Sequence, residues 1–222
     1  MTGAGDLTYD RYSVAGSSEW MMRIGPSDAP TILFLPPLFE ELNRMRALIA
    51  ALMRALASHG LASRLPDLPG TGESLRPIED CSWEDWRQAA MAAACQDPPA
   101  VAVVSFRGGC LLDDAVDARA YLRIAPVEGG SLLRDLRRAG LTGGAEGGGY
   151  APAPALSEPL ARAVPGAVRP LRTIRLASDP AEADAKVAGP ALWRRSEPAT
   201  SPELARALAA QIVEHMSACG AC

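Results

Sequence analysis

The chain has 222 residues, 48% hydrophobic and 22% charged, with a formal net charge of −4 and a pI near 5.3. That size fits one domain, residues 1–222, with enough chain to bury a substantial core. The acidic balance excludes nucleic acid, whose phosphates demand a basic face, and no apolar run reaches the ~20 residues that cross a bilayer.

Two short, roughly alternating segments, YDRYSV and EWMMRI, predict a leading antiparallel strand pair. TILFLPP is a continuous apolar run and predicts a strand buried on both faces. From Leu42 to Ser58, Met45, Leu48, Ile49, Leu52, Met53 and Leu56 recur at helical spacing, and Gly60 closes the helix. LASRLPD supplies a strand ending at Asp67. Ser82 is a good N-cap, with Asp85 three residues on, for the helix SWEDWRQAAMAAAC. AVAVVSF is the most strand-like segment of the chain, and AYLRIAPV is the next strand, followed by amphipathic SLLRDLRRAG. Residues 141–165 are rich in Gly, Ala and Pro and read as a loop or a reduced insertion. LRTIRLA restores a strand, and a final helix starts at Ser201 and Pro202.

Alternation of strands and helices predicts an α/β fold, a doubly wound and mostly parallel sheet with helices on both faces. Ligands of such folds bind at the carboxyl ends of the strands. This directs attention to Pro36–Asn43, Asp67–Ser74, Phe106–Cys110, Pro126–Gly130 and Ser178–Asp184.

The segment SFRGG, Ser105–Gly109, has the outline of a nucleophile elbow, an apolar strand running into a Gly-rich turn with a helix predicted to follow from about Cys110, but its apex is Arg107. One strand earlier stands DLPGTGES, Asp67–Ser74. This resembles the D-x-x-G-x-G-x-S turn of α/β-hydrolases, and its order and spacing relative to SFRGG match that fold. LPPLFEELNRMR, Leu35–Arg46, is similar to the segment of the exosortase A system-associated hydrolases, type 2, that carries two prolines, two glutamates and an asparagine. That group also resembles this chain in placing arginine at the elbow apex. Here Ser105 stands where its elbow begins with glycine, and residues 141–165 form a shortened cap. The resemblance implies an α/β-hydrolase-like domain with a reduced cap. It also implies a setting in bacterial exopolysaccharide and protein-sorting systems.

Acyl transfer on this fold needs an elbow nucleophile, an acid after a later strand and a late histidine. Asp179 fills the acid position. Arg107 cannot be nucleophile or base, because a guanidinium does not deprotonate in proteins. His59 ends the first long helix and His215 lies deep in the last one, so neither occupies the base position; Trp193 stands where the resemblance would place a histidine. Ser105 reads as a structural strand-end serine and Cys110 as a buried core thiol. No conventional triad is expected.

Two readings of Arg107 follow. In one, it pairs with a carboxylate among Glu40, Glu41, Asp67 and Asp179 and plugs the cleft. In the other, Arg107 and the N–H groups of Gly108 and Gly109 hold an anionic ligand oriented by Glu40, Glu41, Asn43 and Asp67. A small carboxylate, a phosphate, an acidic sugar or a lipid headgroup would suit. A hydrolase using Glu40, Glu41, Arg107 and Asp179 is the alternative function. No cofactor or metal is expected: the C-terminal pair Cys219 and Cys222 supplies two ligands at most. The five cysteines, odd in number and partly within predicted elements, point to reduced thiols in the cytoplasm. The N-terminal residues show no secretory leader, and the composition is compatible with a homodimer.

Overall fold

The computed structural model describes residues 7–14, 16–140 and 149–222. A single sheet of eight strands organises them, in the order β1-β2-β4-β3-β5-β6-β7-β8. β1 (Leu7–Val14) and β2 (Ser17–Ile24) form the expected antiparallel pair. β2 joins β4 (Ala62–Pro66) antiparallel, and from there the sheet is parallel through β3 (Thr31–Leu35), β5 (Ala100–Phe106), β6 (Ala120–Ile124), β7 (Leu171–Leu176) and β8 (Ala185–Val187). This is the α/β-hydrolase arrangement of strands.

Period-two alternation divides the apolar strands between two cores. Ile32 and Phe34 of β3, with Ala102, Val104 and Phe106 of β5, face α1 (Glu40–Ala57) and α5 (Pro202–Ala218). The Phe34 and Phe106 rings stack at 5.9 Å within that layer. Leu33, Leu35 and Val103 point the other way, into a core closed by α2 (Trp83–Ala94), α3 (Gly129–Arg138) and α4 (Pro154–Arg162). Both faces of β3 are buried, which is why its sequence shows no polar alternation.

The helix starts follow local chemistry. Ser82 and Asp85 form a full capping box at α2, and the Ser201 hydroxyl accepts from the Leu204 amide at α5, with Pro202 in its first turn. α1 begins two residues earlier than the apolar period predicts, and this puts Glu40 and Glu41 in its first turn.

The structure departs from or adds to the sequence reading in three places. Within residues 141–165, read as a loop or a reduced insertion, 141–148 lie outside the described residues and Pro154–Arg162 is helix α4, with Leu156 and Leu160 buried one turn apart. β8 was not anticipated from the sequence; it is three residues long. Most important for the site, no α-helix follows β5. Residues 107–111 and 113–115 form two short 3-10 turns, and β6 starts at Ala120.

A buried polar network replaces the missing helix. Arg123 of β6 grips both oxygens of Asp113, Nε to Oδ2 at 2.8 Å and Nη2 to Oδ1 at 2.7 Å. The Ser105 hydroxyl donates to the same carboxylate at 2.8 Å, and Arg123 also donates to the Gly166 carbonyl at 2.6 Å. Asp113 and Ser105 are fully buried. The aspartate that would have extended a helix is thus drawn inward against the sheet.

Candidate functional site

Backbone conformation marks the carboxyl edge of the sheet. Phe39 (φ 57°), Arg107 (φ 51°) and Ala125 (φ 49°) are the non-glycine residues with left-handed backbone among those described. They follow β3, β5 and β6 respectively. Such conformations cost about 1–3 kcal/mol each and persist only where the surroundings impose them. Arg107 keeps the strained apex of an elbow while carrying no nucleophile.

The guanidinium of Arg107 has specific partners. Its Nε lies 3.2 Å from both Glu41 oxygens, and Nη2 donates to Oε1 at 2.9 Å. Nη1 donates to the Ala125 carbonyl at 3.3 Å, so the left-handed turn at Ala125 aims an acceptor at the apex. The Trp193 ring covers the guanidinium, 5.0 Å from its centroid. Because the segment after β5 is a five-residue 3-10 turn rather than a long α-helix, only a short run of aligned peptide dipoles opposes the cation here.

Burial pushes the Glu41 carboxyl above the usual carboxylate range; the charge and hydrogen bonds of Arg107 offset this only in part, and Asp135 adds to the rise. The ion pair is almost enclosed, with side-chain exposures of 12% for Arg107 and 11% for Glu41.

In front of the pair lies a cavity of about 360 Å³. α1 contributes Glu40, Glu41 and Arg44; α3 contributes Leu132, Asp135 and Leu136; Trp193 and Arg194 close the far side. Two buried donors on this wall, Arg44 Nε and Trp193 Nε1, have no hydrogen-bond partner among the described residues. Arg44 Nη1 donates to the Trp193 carbonyl at 3.1 Å, tying α1 to the segment that carries the tryptophan.

The structure gathers only part of the expected set. Arg107, Glu40 and Glu41 line the cavity; Gly108, Gly109, Asn43 and Asp67 do not. Asn43 is exposed and donates to Glu40 at 3.1 Å. The two glycines are buried packing positions: a Cβ on Gly109 would meet the Leu35 carbonyl oxygen at 2.6 Å, and one on Gly108 would meet Leu38 and Leu132 at 2.9 Å. Asp67 is the anchor of its own turn. It accepts from Arg46 at 2.8 Å and from the Glu73 amide at 3.0 Å, while Gly70 and Gly72 supply the left-handed backbone that folds the loop around it. DLPGTGES is therefore a structural element in this chain.

The remaining candidates are also placed. Asp179 stands just beyond β7, at the expected acid position, but its carboxylate is held by Arg175 at 2.8 Å and by the Ala181 amide at 3.0 Å. It lies outside the cavity, so Glu40, Glu41, Arg107 and Asp179 are not assembled into one constellation. Desolvation pushes the Cys110 thiol up to about 12, far from a reactive thiolate. His215 accompanies Cys219 near the C-terminus, Sγ to Nε2 3.8 Å, and does not line the cavity.

Sequence reasoning missed Arg44, Leu132, Asp135 and Leu136. The signal was available in part, since Arg44 follows Glu41 by three residues on one helix and Leu132 and Leu136 sit one turn apart.

No family model and no curated protein sequence matches the chain. Among solved structures, an epoxide hydrolase from Vigna radiata aligns at 20% identity over 61% of this chain and 47% of its own, with a TM-score of 0.45. Epoxide hydrolase A from Mycobacterium thermoresistibile aligns at 18% identity over 59% and 45%, with a TM-score of 0.46. A laboratory-evolved variant of potato epoxide hydrolase gives 23% identity over 54% and 40%, with a TM-score of 0.43. The chain thus spans less than half the length of these structures. Strand order and elbow define the class: the fold is that of the α/β-hydrolases.

Proposed function

We propose that this chain is an α/β-hydrolase-fold binding protein, in which the elbow presents Arg107 as a recognition group for a small anionic ligand and delivers no nucleophile. One observation carries the reading: the apex residue, in the strained elbow conformation, is a guanidinium facing a cavity. Of its five N–H groups, three are taken by Glu41 and Ala125, which leaves one on each terminal nitrogen with no partner among the described residues. Arg44 and Trp193 line the same cavity, and their Nε and Nε1 atoms are buried behind its surface without a partner among the described residues. Leu132, Leu136 and Trp193 provide apolar surface for its body.

The similarity of Leu35–Arg46 to the exosortase-associated group suggests a setting in exopolysaccharide metabolism in the cytoplasm, with a sugar acid as one natural guest. Hydrolysis by Glu40, Glu41, Arg107 and Asp179 is the less favoured alternative, because Asp179 is engaged elsewhere.

Titration calorimetry with hexanoate, glucuronate and inorganic phosphate tests the reading. The wild type binds at least one of them. Arg107→Gln, which can still hydrogen-bond Glu41 and so keep the fold, weakens that binding at least about tenfold, a loss of roughly 1.4 kcal/mol. Equal affinity in the variant, or no binding of any of the three, overturns the proposal. Turnover of an ester panel that Arg107→Gln abolishes would replace it with the catalytic alternative.

A further inference from the structure

We infer that Glu41 takes up a proton when the anion binds, so that the site holds a monocarboxylate as one half of a proton-sharing carboxyl pair. This rests on the binding reading given above and specifies which anion the site accepts.

Charge is the first argument. The cavity is lined by three cations, Arg44, Arg107 and Arg194, and three carboxylates, Glu40, Glu41 and Asp135. Asp135 and Arg194 are exposed, and the nearly enclosed charges are those of Arg107 and Glu41, so an anion seated on Arg107 adds one negative charge to a pair that is already neutral.

Geometry is the second. The free N–H groups of Arg107 are on Nη1 and Nη2, and Glu41 Oε1 sits 2.9 Å from Nη2. A guest carboxylate that reaches both nitrogens therefore lies beside the Glu41 carboxylate. Two carboxylates at such a distance, shielded from water, do not both stay ionised; they titrate as a pair and retain one proton.

The groups facing Glu41 act in both directions. Arg107 from the elbow and Arg44 from α1 favour its charged form, while Asp135 from α3 opposes it. Glu40 and Arg194 stand on the same cavity, and the Ala125 carbonyl presents a further partial negative charge to Arg107. Burial already biases Glu41 toward its neutral form before any ligand arrives.

The same balance discriminates among guests. A second charge on the ligand would need a second proton, and no other buried carboxyl lies on Arg107. The site thus prefers monocarboxylates over the dianionic form of phosphate, which predominates at about pH 8.

The test is the pH dependence of calorimetric binding with hexanoate or glucuronate, whichever the wild type holds. As the pH falls from about 8 to about 6, linked uptake of a proton tightens binding, with about tenfold per pH unit as the upper limit for one proton. Repeating the titration in two buffers of different ionisation enthalpy counts the proton directly on the wild-type protein. Glu41→Gln, a neutral stand-in for the protonated acid, binds with a flat pH profile and at the higher pH at least as tightly as the wild type. Wild-type binding without pH dependence or proton uptake overturns the inference and leaves the binding reading in place. So does an unchanged pH slope in Glu41→Gln, and so does binding of phosphate alone. Failure of all three anions to bind overturns both.

Discussion

Asp113→Ala isolates the device that replaces the usual helix after the elbow. Asp113 is fully buried and Arg123 is 6% exposed. Removing the carboxylate strips Arg123 of two charge-assisted hydrogen bonds and leaves the Gly166 carbonyl as its partner. An uncompensated buried charge of this kind costs about 3–5 kcal/mol. Ser105 adds little to that figure, because its hydroxyl retains the Leu122 carbonyl at 3.4 Å. A loss of about 4 kcal/mol, with a urea slope of about 2.5 kcal/mol/M, lowers the unfolding midpoint by about 1.6 M. Urea titration followed by tryptophan fluorescence reads this, since Trp86 is fully buried. The paired replacement Asp113→Leu with Arg123→Met removes both charges, and its stability returns to wild type or above it. A single variant that costs under about 1 kcal/mol, or a double variant no more stable than the single, refutes the claim that the pair is held by mutual need.

Thiol chemistry separates surface from core. Exposed Cys95 and Cys222 react with a disulfide reagent in the native protein, whereas Cys81 and Cys110, whose thiols burial pushes up to about 11 and about 12, react only on unfolding; rapid native labelling of Cys110 would reopen its role as a nucleophile. Gly109→Ala drives a methyl group into the carbonyls after β3 and costs about 3 kcal/mol, the upper range for overpacking, seen as a melting temperature lower by about 6–12 °C. A variant that melts with the wild type would show that the turn after β5 and the end of β3 do not approach as closely as described.

The sequence exposed the sheet more readily than the site. β3 and β5 were legible as continuous apolar runs of strands buried on both faces, α1 by its 3.6-residue apolar period, and the α2 cap because Ser82 and Asp85 satisfy each other locally. The helix expected after the elbow was not formed. What decides that segment is a long-range demand, the buried guanidinium of Arg123 drawing Asp113 inward, which no local propensity reports. α4 was hidden by its prolines, although Leu156 and Leu160 carried the spacing of a buried face. At the site, Glu41 stood among four carboxylates that could have met Arg107. The choice fell to it because α1 starts at Glu40, while Asp67 and Asp179 are occupied by Arg46 and Arg175. Arg44 and Asp135 come from helices far apart in sequence, and only the tertiary fold sets them on one cavity.

The three left-handed residues at the sheet edge have a consequence for the proposed binding role. The turn at Phe39 launches α1 with Glu41 toward the apex, the turn at Arg107 lifts the guanidinium from the strand, and the turn at Ala125 supplies its third acceptor. Each orientation is fixed by backbone that the surrounding layers hold under tension, so none relaxes alone. The guanidinium has therefore given up its rotational freedom during folding rather than at encounter. Under the proposed binding role, association with such a frame would be governed by shape and by the shedding of water, without a slow rearrangement step.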